Sequence, residues 1–323
     1  MRRALHSVLT GFAAAALLAV LPCYSAAGDF TRDAVGTTAG QFLKLAVNAR
    51  ATAMGEAYSA MTDEASAMYW NPAGLIKVRR HSVVLMHSAY LADTSFDYAS
   101  YARHLRNIGT FGVSVQYMNS GEMNETNVSG QKTGTFRPYD IAVSMGFAAY
   151  VIGLNKFPEE RWTMGASVKI IRSHIVKDDS TIAADIGILT PYIFDESMQI
   201  AMVAQNLMGS LNYDVDDSPL PMTLRFGSRA LVSKNLDVTF DAVAPRDNYP
   251  YLATGMEYRL NVARYLTLAL RGGANTRAIF DYEGMRNVSM GFGISGGGLG
   301  VDYSYNPFGV LGGAHRLSAT ISF

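Results

Sequence analysis

Asp63 and Glu64 form an adjacent carboxylate pair, the residue types of acid–base chemistry. Neighbours on a helix point in different directions, so the pair suits capping and first-turn charge complementation better than proton transfer. Asp214, Asp216 and Asp217 offer alternating oxygens of the kind that bind calcium, but the stretch 212–219 lacks the glycine and distal glutamate of a defined loop. The histidines at 81, 87, 104, 174 and 315 have no metal-ligand spacing, and the single cysteine, Cys23, precedes them in a removable leader. His87-Ser88 has two residue types of a hydrolase without an identifiable third member or oxyanion donor. The glycine string from Gly291 to Gly298 lies between two alternating strands, where a hairpin turn explains it better than a dinucleotide loop. Asn124, Asn127 and Asn287 begin sequons by composition only. These residues predict a protein that is not an enzyme and holds no metal or cofactor.

A second set of charges is organised by the two-residue period of β-strands. Asp140, Asp185, Asp237, Asp241, Glu257 and Asp302 fall on one set of faces, together with Lys169, Arg225, Arg229, Arg259, Arg271 and Arg316. Six acids facing six bases predict an enclosed lumen, because charges removed from water need partners. The opposite faces carry almost no charge. A lipid-facing charge near the bilayer midplane costs about 2–4 kcal/mol, so that absence is expected of a membrane barrel.

The elements that must position these charges are regular. Phe111, Val113, Val115 and Tyr117 alternate with Gly112, Ser114 and Gln116, and Tyr139, Ile141, Val143, Met145 and Phe147 repeat the rhythm. At the C-terminus Leu317, Ala319, Ile321 and Phe323 alternate with polar residues, and the strand stops on an aromatic. Alone, this terminal strand fits a soluble sandwich as well as a barrel. It resembles the assembly signal of outer-membrane barrels, which implies the barrel assembly machinery and outer-membrane lipids as partners. Fourteen strands are predicted, near 82–90, 95–105, 109–118, 138–150, 161–173, 180–191, 197–206, 221–231, 235–243, 250–260, 264–272, 286–295, 298–306 and 314–323. Their length suits tilted membrane strands and their number is even; twelve or sixteen strands satisfy the same rule, since strand boundaries read from sequence are soft. The polar, Gly-containing stretch 119–137 reads as an unstructured extracellular loop.

The N-terminus supplies the export route. Arg2 and Arg3, an apolar run from Val8 to Leu21, and Ser25-Ala26-Ala27 make residues 1–27 a secretory signal peptide cut before Gly28. A lipoprotein would acylate Cys23, where Pro22 stands in place of the small residue such a site wants. No later stretch has the roughly 18 uninterrupted apolar residues of a spanning helix. The 27 basic and 27 acidic residues balance, which gives no electrostatic case for nucleic acid. Plentiful glycine (30) and tyrosine (18) suit a crowded lumen and interfacial aromatic girdles.

Residues 28–80 do not alternate. The Ala-rich run 43–57 is predicted to be helical, and 62–69 a short helix capped by Thr62 or Asp63 and stopped at Asn71-Pro72-Ala73-Gly74. Some fifty residues of this character ahead of a barrel (81–323) make a plug. The run 48–58 and the segment from Asp63 to Leu75, with Trp70-Asn71-Pro72-Ala73-Gly74 at its centre, resemble the PorV/PorQ family of outer-membrane proteins. That family resembles the FadL-like barrels, whose hatch carries an Asn-Pro-Ala motif. The resemblance implies an all-β, 14-stranded antiparallel transmembrane barrel with a partly helical N-terminal plug, in the Gram-negative outer membrane. It implies either an accessory role in protein secretion and surface attachment of type IX character, with secretion-system proteins as partners, or passive transport of hydrophobic ligands such as fatty acids. The polar character of 119–137 favours protein partners.

Overall fold

The computed structural model describes residues 29–91, 94–152, 160–175, 177–194, 196–213, 216–277, 287–308 and 312–323. The signal peptide expected over 1–27, with Cys23, and Asp214 of the acidic loop lie outside the described residues. Fourteen antiparallel strands form a closed barrel. They are β1 (His81–Ala89), β2 (Ser95–Leu105), β3 (Gly109–Asn119), β4 (Tyr139–Ile152), β5 (Trp162–His174), β6 (Asp178–Leu189) and β7 (Met198–Leu207). The wall continues through β8 (Thr223–Ser233), β9 (Leu236–Pro245), β10 (Tyr251–Ala263), β11 (Leu266–Asn275), β12 (Val288–Gly296), β13 (Leu299–Pro307) and β14 (Gly313–Ser322). Each strand pairs with its sequence neighbours, and β14 closes on β1 with Ser82 opposite Ser322 and Ala89 opposite His315. Among the described residues no helix is long and apolar enough to cross a membrane; here the strands cross.

The alternation sorts side chains as the period requires. Leu85, Met145, Ile170, Ile182, Leu270, Phe292, Val301 and Leu317 are exposed on the outer wall, while Ser114, Lys169, Asp185, Asp237, Asp241 and Glu257 are buried inside. The end holding the C-terminus has the tight turns at 234–235, 264–265 and 297–298, and the other end has the long connections, including 119–138 and 208–222. Short periplasmic turns and longer extracellular loops orient the barrel. The stretch 119–137 is not unstructured: Met123–Thr126 and Lys132–Phe136 pair as a small hairpin.

The outer wall is not free of charge. His87 and Asp97 pair at 2.7 Å, and Arg172 and His174 both meet Asp178. These charges sit near the extracellular strand ends and are paired. Arg103 lies at the periplasmic end of β2. The cost of a lipid-facing charge falls toward zero near the interfaces, which permits all three placements.

Phe323 stacks on His81, ring centroids 4.9 Å apart and planes 7° from parallel, and exchanges two backbone hydrogen bonds with it. The terminal aromatic thus locks the closing strand to the first. Deleting Phe323 should reduce the heat-modifiable, membrane-inserted form several-fold. Normal amounts of that band from the truncated chain would remove this role.

Residues 29–80 fill the lumen. The chain starts at the extracellular rim, where Phe30 N donates to Arg246 O and Ala39 N to Pro219 O, and ends at the periplasmic rim, where Arg80 O accepts from His104 N. The plug supplies much of the fully buried core, with Val47, Met54, Tyr58, Met61, Met68, Trp70 and Leu75, and wall residues such as Phe96, Ile171 and Leu189 add to it. Its helices are shorter than the sequence predicts. One covers Ala49–Ala53, and the second Ala67–Trp70, starting after Ser66 rather than at Thr62 or Asp63. Short 3₁₀ turns at Gln41–Lys44 and Pro72–Lys77 flank them. Asn48 has φ 69°, outside the helical region, and this splits the Ala-rich run despite its propensity.

Candidate functional site

The plug lacks long helices, so many of its backbone groups need other partners. The barrel wall supplies them from its inward serines. Ser318 Oγ accepts from Ala49 N at 2.7 Å and Ser82 Oγ from Ala65 N at 3.1 Å. Ser289 Oγ accepts from Gly55 N at 2.9 Å and donates to Ala53 O at 3.1 Å. Glycines let the plug backbone approach. A Cβ on Gly165 would lie 2.3 Å from the Pro72 carbonyl carbon, and one on Gly255 2.5 Å from Met54 O.

The sequence motif at 70–74 occupies the middle of this contact. Asn71 Oδ1 accepts from Ala73 N at 3.0 Å, and its Nδ2 donates to Ser59 O at 2.9 Å. Pro72 begins the 3₁₀ turn, where its missing N–H costs nothing. Ala73 is fully buried, and Gly74 packs on Thr62, its would-be Cβ 1.9 Å from Thr62 Oγ1. Trp70 donates through Nε1 to Val47 O at 3.1 Å and lies beneath the Arg225 guanidinium, 5.0 Å from the ring centroid. Gln205 joins the two: its Nε2 donates to Tyr69 O, and its Oε1 accepts from Arg225 Nε at 3.0 Å.

The lumen charges form one chain and a separate pair. Arg229 meets Asp237 at 2.7 Å; Arg259 bridges Asp237 and Glu257; Arg271 bridges Glu257 at 2.7 Å and Asp302 at 2.6 Å. The plug completes this chain. Arg50 donates to Glu257 through Nε at 2.8 Å and to Asp63 through Nη1 at 2.8 Å. Arg50 was not among the charges read from strand periodicity, because it lies in the plug. Lys169 and Asp185 pair at 2.9 Å, with Asn206 bonded to both. Arg225 and Asp241 approach only to 4.0 Å; Asp241 instead accepts from Ser59 N at 3.1 Å.

Two predicted lumen ions differ from the six-against-six pattern. Asp140 accepts from Ser173 Oγ, and Arg316 donates to Asn306 Oδ1 at 2.8 Å and lies over the Tyr90 ring. Neither forms an ion pair among the described residues: hydroxyl and amide groups, and for Arg316 an aromatic ring, take the place of the opposite charge. Asp63 and Glu64 are not helix caps either. Asp63 pairs with Arg50, and Glu64 accepts from Asn48, Ser66 and Tyr58 on one oxygen and from Thr320 on the other. His87 and Ser88 point to opposite faces of β1, His87 outward to Asp97 and Ser88 into the wall, so they share no site.

At the extracellular rim Asp247 anchors the start of the plug. Its carboxylate accepts from Lys44 Nζ at 2.7 Å, Thr38 Oγ1 at 2.6 Å and Gln41 Nε2 at 2.8 Å. Burial alone would raise its pKa, but these donors and the Lys44 charge outweigh burial and hold the carboxyl below the ordinary aspartate range. A depressed folded pKa makes the contribution full above about pH 4 and lost as pH falls through the folded value. Asp247→Asn at neutral pH should therefore loosen residues 38–44, as should acidification well below pH 4. Faster amide exchange confined to that segment would show it, and unchanged protection in the variant would refute it.

Two cavities adjoin this assembly. One of about 100 Å³ lies between plug and wall, lined by Lys44, Tyr69, Gln205, Asn206, Arg225 and Arg277 among others. The other, about 480 Å³, is a groove on the outer wall between Leu85, Ala99, Val115, Val301, Leu317 and Ala319, with His87 and Asp97 at its edge. Among the described residues no three side chains of metal-ligating type converge.

Residues 29–205, more than half of the chain, match the family described as type IX secretion system protein PorV. The chain belongs to the PorV family. As a PorV-family barrel it is an outer-membrane protein, and its fold has solved counterparts. It is similar to the toluene transporter TbuX of Ralstonia pickettii, with TM-score 0.57 at 14% identity over 85% of this chain and 97% of that one. The toluene transporter TodX of Pseudomonas putida gives 0.56 at 12% identity, with the same coverage of both chains. A FadL homologue of Pseudomonas aeruginosa gives 0.54 at 11% identity over 86% of this chain and 98% of that one. At such identities the likeness concerns the fold alone, which this PorV-family member shares with them. No curated protein matches the sequence.

Proposed function

We propose that this PorV-family barrel is a non-catalytic accessory of type IX protein secretion and surface attachment, acting by binding other proteins through its rim and loops. The carrying observation is the filled lumen. Plug and wall are joined by buried ion pairs and by backbone contacts over glycine, and the cavity beside the plug is about 100 Å³ and lined by charged and polar groups. Pockets for small apolar ligands run to about 300–1,000 Å³ with mostly apolar linings. Transport of hydrophobic molecules, which the fold neighbours' names describe for those proteins, is the second reading; the apolar groove on the outer wall is the observation in its favour.

The test is affinity purification of the full chain from native outer membrane, with identification of bound proteins and lipids, beside a deletion strain assayed for secreted and surface-attached proteins. Co-purifying secretion components and loss of surface proteins in the deletion strain are the expected result. Bound hydrocarbon or fatty acid, with secretion intact in the deletion strain, would overturn the reading.

A further inference from the structure

Four arginines cluster at one corner of the periplasmic rim, where β1, β2 and β3 begin and end. Arg79 and Arg80 precede β1, Arg103 lies on the outward face of β2 opposite His81, and Arg106 sits in the turn between Leu105 and Gly109. Register brings them together, since His104 N donates to Arg80 O at 2.8 Å. All four are exposed, and among the described residues none forms an ion pair.

The surroundings fix the depth of this cluster. His81 stacks between Phe323 and Tyr101, and Tyr101 OH bonds His81 Nδ1 at 2.8 Å. Phe111 stands opposite Arg103, and Ile108, 65% exposed, projects from the tip of the turn beside Arg106. Aromatic side chains of this kind sit at the boundary between acyl chains and headgroups. An exposed apolar tip between arginines belongs at that boundary, because the arginine stems can lie along apolar surface while their guanidinium ends reach polar groups.

We propose that this corner is a binding surface for anionic phospholipid headgroups of the periplasmic leaflet. The guanidinium fork matches phosphate oxygens in geometry and charge. Clustered basic residues beside a membrane each add to attraction for an anionic surface. The proposal does not rest on the proposed function and stands whether or not that reading does.

The test uses the full-length barrel purified in neutral detergent, stripped of lipid, and titrated with phosphatidylglycerol or phosphatidylcholine while bound lipid is read by native mass spectrometry. The wild-type protein should bind phosphatidylglycerol roughly tenfold more tightly than phosphatidylcholine, with the preference shrinking as salt shortens electrostatic range. The combined Arg79→Gln, Arg80→Gln, Arg103→Gln, Arg106→Gln variant should lose that preference, whereas Lys132→Gln with Arg137→Gln at the opposite end should keep it. Heat-modifiability checks that each variant is folded; if the fourfold variant is not, the single substitutions should each reduce the preference in part. Equal binding of the two lipids by the wild type, a salt-independent preference, or retention of the preference in the folded arginine variants would overturn the proposal.

Discussion

Gly273→Ala should unseat the plug, while Gly272→Ala beside it should change almost nothing. The two glycines are adjacent on β11 and face opposite sides of the wall. A Cβ on Gly273 would lie 2.1 Å from Gly55 N and 2.1 Å from the Met54 carbonyl carbon, both backbone atoms. A Cβ on Gly272 meets nothing within 4 Å. Backbone cannot step aside as a flexible side chain can, so one methyl forces the plug and the wall apart. Overpacking of this kind costs about 1–3 kcal/mol, and more where neither surface yields. The loss extends to the hydrogen bonds around the contact, including Ser289 to Gly55. The expected readout is a folded band that melts at lower temperature on semi-native gels, with new protease cleavage between residues 49 and 60. Identical melting of the Gly273→Ala and Gly272→Ala proteins would show that the plug does not press on the wall.

The second large effect is expected at Glu257. This carboxylate is 1% exposed and receives Arg50, Arg259 and Arg271. Glu257→Gln keeps the shape but leaves three guanidinium groups around a neutral amide. Breaking a buried pair by removing one partner costs about 3–5 kcal/mol, because the remaining charge is uncompensated. The exposed pair Arg137–Glu122, with side chains 70% and 50% accessible, provides the contrast. Glu122→Gln should cost no more than about 1 kcal/mol. Urea titration of both variants in the same detergent measures the difference. Equal midpoints would mean that water reaches Glu257 freely and the network is not enclosed.

The wall of the barrel was legible in the sequence because strand periodicity is a local property. Phe111 to Tyr117 and Leu317 to Phe323 show their outward faces without reference to any partner, and strand ends fell within a few residues of their observed places. The ion pairs within the wall, Arg229 with Asp237 and Arg271 with Glu257, follow from the same period, as cross-strand or diagonal neighbours on an inward face. The plug stretches 43–57 and 62–69 hold only short helices, since propensity favours helix in Ala-rich stretches whereas Asn48 and the tight lumen enforce turns. Residues such as Ser289, Ser318 and Gly273 carried no distinguishing signal. A serine or glycine on an inward face looks alike whether it meets water, another side chain or the backbone of a plug.

The sequence by itself determined the strand rhythm, the sorting of faces and the family, because these depend on short-range pattern and motif. Only the tertiary structure decided how the lumen is occupied. Arg50 reaches Glu257 across 207 positions of sequence, and Asp247 holds Lys44 across 203. Arg316, by contrast, has Asn306 and Tyr90 in place of an acid. Such pairings depend on where a threaded, mostly irregular segment comes to rest inside a closed wall. Excluded volume and the need to satisfy buried polar groups select that position, and both are properties of the assembled barrel rather than of any stretch of its chain.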